Sequence, residues 1–202
     1  KLVSELPVGG GKGYVASKRL EPGTLILVEE PMMEWPPEQL GQELDILSVR
    51  HLLEHPNALR IVQDMEDFHP TKENVDNHID SEDNQGQISK MMTMLQTQYT
   101  GAQVSELVDL ANENGVQSRN SSPLLSNDIL RLLLALRYNG LESGVYRDVA
   151  MLNHSCHPNC TKILPPVGQA YSEVRTTRTV QAGASLTVFY LPRVQSHASR
   201  RK

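Results

Sequence analysis

The chain has 202 residues, of which 39% are hydrophobic and 21% charged, enough apolar material for a buried core, so global disorder is excluded. Its formal charge of −5 excludes a generally basic nucleic-acid coat. Aromatic residues make up 4%, with Trp35 the single tryptophan, too few for stacking single-stranded nucleic acid, so no direct nucleic-acid binding is expected.

Along the chain, the first 35 residues read as strands. Tyr14-Val15-Ala16 and Thr24-Leu25-Ile26-Leu27-Val28 flank Glu21-Pro22-Gly23, a turn in which proline sets φ and glycine supplies a positive one. A helical stretch follows. Leu44, Leu47, Leu52 and Leu53 begin a leucine-rich helix ended by Pro56. Residues 64–87 are polar and predict a loop. Residues 88–99 predict a methionine-rich helix with Met91, Met92 and Met94 as core filler, and Val104, Leu107, Val108 and Ala111 recur at helical spacing. After a break at residues 118–123, Ser126-Asn127-Asp128 supplies N-cap chemistry for a helix over 129–138 that is apolar nearly all round. Asn139-Gly140 ends it with residues that tolerate the left-handed conformation. Residues 174–180 and Ser185-Leu186-Thr187-Val188-Phe189-Tyr190 then read as strands around Gln181-Ala182-Gly183. Lys18-Arg19-Leu20-x-x-Gly23 and Arg178-Thr179-Val180-x-x-Gly183 share a register, which suggests one β-fold whose sequence ends meet.

No apolar stretch is long enough to span a bilayer; the longest, 129–136, is interrupted by Arg131, so no membrane partner is expected. Lys1-Leu2-Val3-Ser4-Glu5 shows no signal region. The two cysteines, Cys156 and Cys160, exclude a disulfide framework, and a reducing, intracellular location is the expectation. Charge is uneven. Residues 54–83 carry nine acids against Arg60 and Lys72, and residues 162–202 carry seven bases against Glu173. The acidic stretch either steers a basic peptide or is a solvated loop.

Two segments invite chemistry. Gly9-Gly10-Gly11-Lys12-Gly13-Tyr14 lacks the spacing, the Ser or Thr after lysine and the preceding strand of a phosphate loop, which leaves a glycine run entering a strand. Asn153-His154-Ser155-Cys156-His157-Pro158-Asn159-Cys160 crowds two cysteines and two histidines into one run. Zinc sites draw their ligands from two separated elements, and catalytic Cys–His partners are usually distant in sequence. A purely structural reading is a polar corner in which Asn153 and Asn159 bond backbone and Cys156 packs as a small apolar group.

The second segment, with Leu152 before it, resembles the signature of SET-domain protein-lysine methyltransferases, Asn-His-Ser-Cys-x-Pro-Asn. Gly11-Lys12-Gly13-Tyr14-Val15-Ala16 resembles that family's opening cofactor loop. Arg137-Tyr138-Asn139-Gly140 with Gly144-Val145-Tyr146 resembles the lead-in to the signature. Gly183-Ala184-Ser185-Leu186-Thr187-Val188-Phe189-Tyr190 resembles the closing strand. The long insertion and Ala198-Ser199-Arg200-Arg201-Lys202 are similar to the SET-and-MYND subfamily, although no MYND zinc module is present.

The resemblance implies an α+β, mainly β, fold of small curved sheets with a knot-like C-terminal crossing and a helical insertion. The implied divisions are 1–36 (N-terminal part of the β-fold), 37–123 (helical and acidic insertion), 124–192 (C-terminal part with the signature) and 193–202 (basic tail opening a post-SET region). It implies methyl transfer from S-adenosylmethionine to lysine side chains of a protein, a basic histone tail being one candidate, in the nucleus and/or cytoplasm. Lys12, Gly13, Tyr14, Asn139, Asn153 and His154 would bind the cofactor, and Tyr190 would be catalytic. Zinc is not expected in this chain, because Cys156 would be a ligand only alongside a post-SET module. Ala184 and Ser185 stand where the family usually has two acids. The competing readings are a catalytically weak SET-fold module acting in protein–protein interaction and, third, a metal hydrolase.

Overall fold

The computed structural model describes residues 2–3, 12–39, 43–76, 86–163 and 171–190. Gly9, Gly10 and Gly11, residues 77–85 of the acidic stretch and the basic tail 193–202 lie outside the described residues. In chain order the elements are β1 (Leu2–Val3), β2 (Gly13–Tyr14), β3 (Leu25–Glu29), β4 (Met33–Glu34), α1 (Ile46–Glu54), α2 (Ala58–Asp64), α3 (Lys72–Asp76), α4 (Gln87–Gln98), α5 (Gly101–Glu113) and α6 (Ser126–Asn139). They continue with β5 (Gly144–Val145), β6 (Asn153–His154), β7 (Cys160–Ile163), β8 (Ser172–Thr176) and β9 (Thr187–Val188). The chain forms two compact units, Lys1–Pro31 with Asp148–Lys202, and Met32–Arg147.

The first unit is β-structure. β1 pairs antiparallel with β2, and β3, β8 and β7 form an antiparallel sheet in that order. β8 alternates Ser172, Val174 and Thr176 inward against half-buried Glu173 and Arg175, the period-2 pattern of a strand with one covered face. The two related turns pair with each other. Leu20 and Val180 exchange N–H···O bonds of 2.9 Å each way, Gly23 N donates to Thr176 O at 2.8 Å, and Gly183 N donates to Ala16 O at 2.8 Å. Both glycines have positive φ, +79° and +82°, as i+2 of a proline- or alanine-led turn demands. A local two-fold thus joins the sequence ends. β6 and β9 run parallel, with Asn153 opposite Thr187 and His154 opposite Val188. This pair is the described part of the crossing between signature and closing strand.

The second unit is helical. α1 starts with a capping box, Leu47 N donating to Asp45 Oδ1 at 2.9 Å and Asp45 N to Ser48 Oγ at 3.1 Å. α6 packs on α1, α4 and α5 and is buried on every side from Asp128 to Leu136. Its buried leucines and Ile129 each contribute roughly 1.5–3 kcal/mol of apolar transfer. Arg131 is enclosed with them and donates through Nη1 to Pro70 O at 3.2 Å. β4 and β5 pair antiparallel, and Trp35 Nε1 donates to Leu141 O at 2.6 Å.

Several expectations need correction. The class is α+β as expected; among the described residues helices (42%) outweigh strands (20%), and β-structure predominates in the first unit. The loop expected over 64–87 contains a 3-10 turn at Met65–Asp67 and the short helix α3. Thr71 starts that helix, its Oγ1 accepting from Asn74 N at 3.3 Å, while Met65 and Phe68 anchor the segment in the core. α6 starts at Ser126 rather than at 129, and of the three residues expected to supply the cap chemistry Asp128 does so, its Oδ2 accepting from Leu125 N at 2.9 Å. Met92 is core as expected, whereas Met94 is 66% exposed because it sits on the opposite face of α4. Gly140 is extended (φ −68°), not left-handed. Glycine is required there because a Cβ would lie 2.6 Å from Leu136 O and 3.0 Å from Trp35.

Candidate functional site

β2 opens on the Lys12-Gly13 step, and β6 carries Asn153-His154. The two meet through one hydrogen bond, Asn153 Nδ2 donating to Lys12 O at 2.8 Å. Residues 141 positions apart in sequence therefore share one corner. Tyr14 closes the same loop, its hydroxyl donating to Asp148 Oδ1 at 2.8 Å and its carbonyl accepting from Leu186 N at 2.8 Å.

The closing segment is strapped to the signature by Asn159. Its Nδ2 donates to Ser185 O at 2.8 Å and its Oδ1 accepts from Thr187 N at 2.9 Å. One carboxamide thereby reads one C=O and one N–H of the neighbouring chain, as a backbone amide would. Beyond it, Ser155 N donates to Val188 O at 3.0 Å and brings Tyr190 back to the corner.

Tyr190 makes two hydrogen bonds there. Its hydroxyl donates to Leu152 O at 2.5 Å, and its backbone N–H donates to His154 Nδ1 at 3.1 Å. An accepting Nδ1 is unprotonated, so the proton of the neutral ring sits on Nε2, which faces Cys156 Sγ at 3.6 Å. Burial against Phe189 and Tyr190, whose ring centroids lie 5.2 and 5.4 Å away, lowers the His154 pKa. Burial likewise pushes the Tyr190 phenol up to about 12, although the residue as a whole is 46% exposed. Tyr190 is accordingly a neutral phenol at any physiological pH.

Six of the seven site residues read from the sequence, Lys12, Gly13, Tyr14, Asn153, His154 and Tyr190, belong to this one network. Asn139 belongs to the second unit, where its Nδ2 donates to His69 O at 2.6 Å and Ala135 O at 2.8 Å. The sequence reading missed Asp148 and Glu29, two carboxylates that no local motif marks. Cys160 is buried and its thiol is pushed up to about 11, while Cys156 is exposed, which does not fit the purely structural reading in which it packs as a small apolar group. Among the described residues no group of three or more His, Cys, Asp or Glu side chains could hold a metal. Nor, among them, is any helix long and apolar enough to cross a membrane.

A two-residue parallel pair bearing Asn-His, strapped by the second asparagine of the same run and flanked by a strand-end tyrosine, is the corner of a SET-type fold. The chain belongs to the SET-domain family, whose model matches residues 11–191. Over 59 residues it is 36% identical to histone-lysine N-methyltransferase SMYD3 of Mus musculus and 34% identical to the protein of the same name of Homo sapiens. That stretch is 29% of this chain and 13% of each relative. Two solved structures share the fold over 98% of this chain. They are the SET domain of LSMT bound to lysine and AdoHcy (TM-score 0.52, 13% identity) and Rubisco LSMT bound to sinefungin and monomethyllysine (TM-score 0.50, 14% identity). The chain spans 50% and 49% of those two chains.

Proposed function

We propose that this chain carries the methyl-transfer centre of a protein-lysine N-methyltransferase that uses S-adenosylmethionine. The observation that supports it most is the Asn153–Lys12 contact, which joins the two cofactor motifs into one corner. The donor set there fits a zwitterionic sulfonium cofactor. Carbonyl and carboxamide oxygens of Lys12 and Asn153 suit an ammonium, the exposed Lys12 cation suits a carboxylate, and the backbone of β6 suits a heteroaromatic edge. Bound there, S-adenosylmethionine supplies a methyl group on a sulfonium that carries its own leaving group.

What the protein contributes is alignment. The single hydroxyl hydrogen of Tyr190 is committed to Leu152 O, so its oxygen presents lone pairs and accepts from a substrate amine N–H. A phenol whose pKa lies near 12 is not a base at neutral pH, so Tyr190 orients the amine and does not deprotonate it. The lysine must arrive neutral, and a desolvated approach favours that form. The substrate class is a lysine-bearing protein segment, a basic histone tail being the first candidate, with the nucleus and/or cytoplasm as the proposed location. A second reading, a catalytically weak SET-fold module acting in protein–protein interaction, is favoured by Ala184 and Ser185 standing where the family usually has two acids.

Titration calorimetry of S-adenosylmethionine into the chain tests the first step. Asn153→Ala should weaken binding by about 1–3 kcal/mol, since it removes the bond that holds the corner. A parent chain that binds no cofactor refutes the reading. Radiolabelled methyl transfer to histone tails separates enzyme from module: cofactor bound but no methyl moved selects the second reading.

A further inference from the structure

Two carboxylates behind the corner are held in a way that the cofactor motifs do not explain. Glu29, the last residue of β3, accepts from Asp148 N through Oε1 at 2.9 Å and from Val149 N through Oε2 at 2.8 Å. These are charge-assisted bonds to the first amides of the 3-10 turn Val149–Met151. The turn closes by Met151 N to Asp148 O at 3.1 Å and Leu152 N to Val149 O at 3.2 Å, and delivers the chain directly into β6. Asp148, fixed from behind by Glu29, accepts the Tyr14 hydroxyl in front.

We infer that Asp148 and Glu29 are positioning residues for the cofactor corner, an inference that rests on the methyltransferase reading above. Segments 12–14 and 148–153 are tied by the Tyr14 hydroxyl to Asp148 at one end and by Lys12 O to Asn153 at the other. Together the two ties restrain both the separation and the angle of the segments, and loss of either loosens that placement. Glu29 sets where Asp148 stands, Asp148 sets where Tyr14 and its loop stand, and the loop sets the Lys12 carbonyl that Asn153 grips. Both act through the loop.

The test uses Asp148→Ala and Asp148→Asn, with S-adenosylmethionine titration and amide hydrogen exchange as readouts. The asparagine keeps an oxygen for the Tyr14 hydroxyl; the alanine does not. Asp148→Ala should bind about tenfold more weakly and exchange faster at residues 149–154, while Asp148→Asn should restore both to within about twofold of the parent. Glu29→Gln, with one oxygen in place of two, should fall between them. If Asp148→Ala does not fold, Tyr14→Phe removes the same tie by deleting one hydroxyl. Binding and exchange unchanged in Asp148→Ala overturn the inference. So does an Asp148→Asn as impaired as the alanine, because the carboxylate charge itself would then be what matters. A parent that binds no cofactor defeats the methyltransferase reading instead, and the exchange comparison still decides whether the tie exists.

Discussion

Asn159 is the residue on which the fold around the corner most depends. Its carboxamide holds Ser185 O and Thr187 N at 2.8 and 2.9 Å, it is 9% exposed, and its own backbone carbonyl accepts from Thr177 N at 2.9 Å. Asn159→Ala leaves a carbonyl and an amide facing a gap. Each unpaired buried group costs about 1–3 kcal/mol, and because Ser185 and Thr187 are only half-buried the sum should be about 2–4 kcal/mol. For a chain of this size that is a drop of roughly 5–15 °C in thermal midpoint. Asn159→Asp is the sharper variant. It keeps the acceptor for Thr187 but turns a lone pair toward Ser185 O, where the asparagine had a donor. A carboxyl in that place has its folded pKa raised, so the variant should lose stability at neutral pH and recover part of it as pH falls toward the carboxyl range, where a proton restores the donor. Trp35 lies in the helical unit and reports the wrong half of the chain, so circular dichroism and exchange at the Thr187 amide are the proper readouts. An Asn159→Ala within about 0.5 kcal/mol of the parent, or an Asn159→Asp whose stability shows no such recovery, would refute the strap.

Gly23→Ala meets nothing within 4 Å and suffers only from its φ of +79°, so it should cost about 1 kcal/mol, whereas Gly144→Ala would place a Cβ 2.2 Å from Met33 O and should prevent β4 and β5 from pairing. Urea unfolding of the two side by side checks that order; equal losses would contradict it. Tyr190→Phe should keep the fold at a cost of about 1 kcal/mol for the lost bond to Leu152 O. It should slow methyl transfer by roughly a hundred- to a thousand-fold, and an unchanged rate would reduce Tyr190 to a packed aromatic. Because the raised Tyr190 pKa belongs to the folded state, the stability it contributes is fully present below pH 10 and is lost as pH rises through about 12, which phenolate absorbance follows. His154 has the opposite sense: its folded pKa lies below 6.5, so stability is flat above that pH and declines as pH falls through 6.5 toward the lowered value. His154→Gln should abolish that decline, and a decline that persists would show that another group causes it.

The features that the sequence determined unaided are those whose chemistry is local. The Pro22-Gly23 turn and its partner at Gly183 were legible because a positive φ in a turn has few residue solutions, and the burial of α6 because its apolar residues leave no polar face. The signature was legible through its resemblance to the SET family, because Asn153, His154 and Asn159 stand together in one short run. Which partner each residue takes was decided by tertiary structure. Glu29 and Asp148 are ordinary carboxylates until β3 and the turn before β6 are brought together across 119 positions. That Cys160 is buried while Cys156 is exposed depends on where β7 begins, since Cys160 opens the strand opposite Thr176 and Cys156 lies in the bend before it. Gly140 was expected to be needed for its backbone freedom and proved to be needed for space, because Trp35, Leu44 and Leu136 converge on it. Residue type and local order restrict what a position can do, but contacts between distant segments select among those options, and such contacts exist only once the chain is folded.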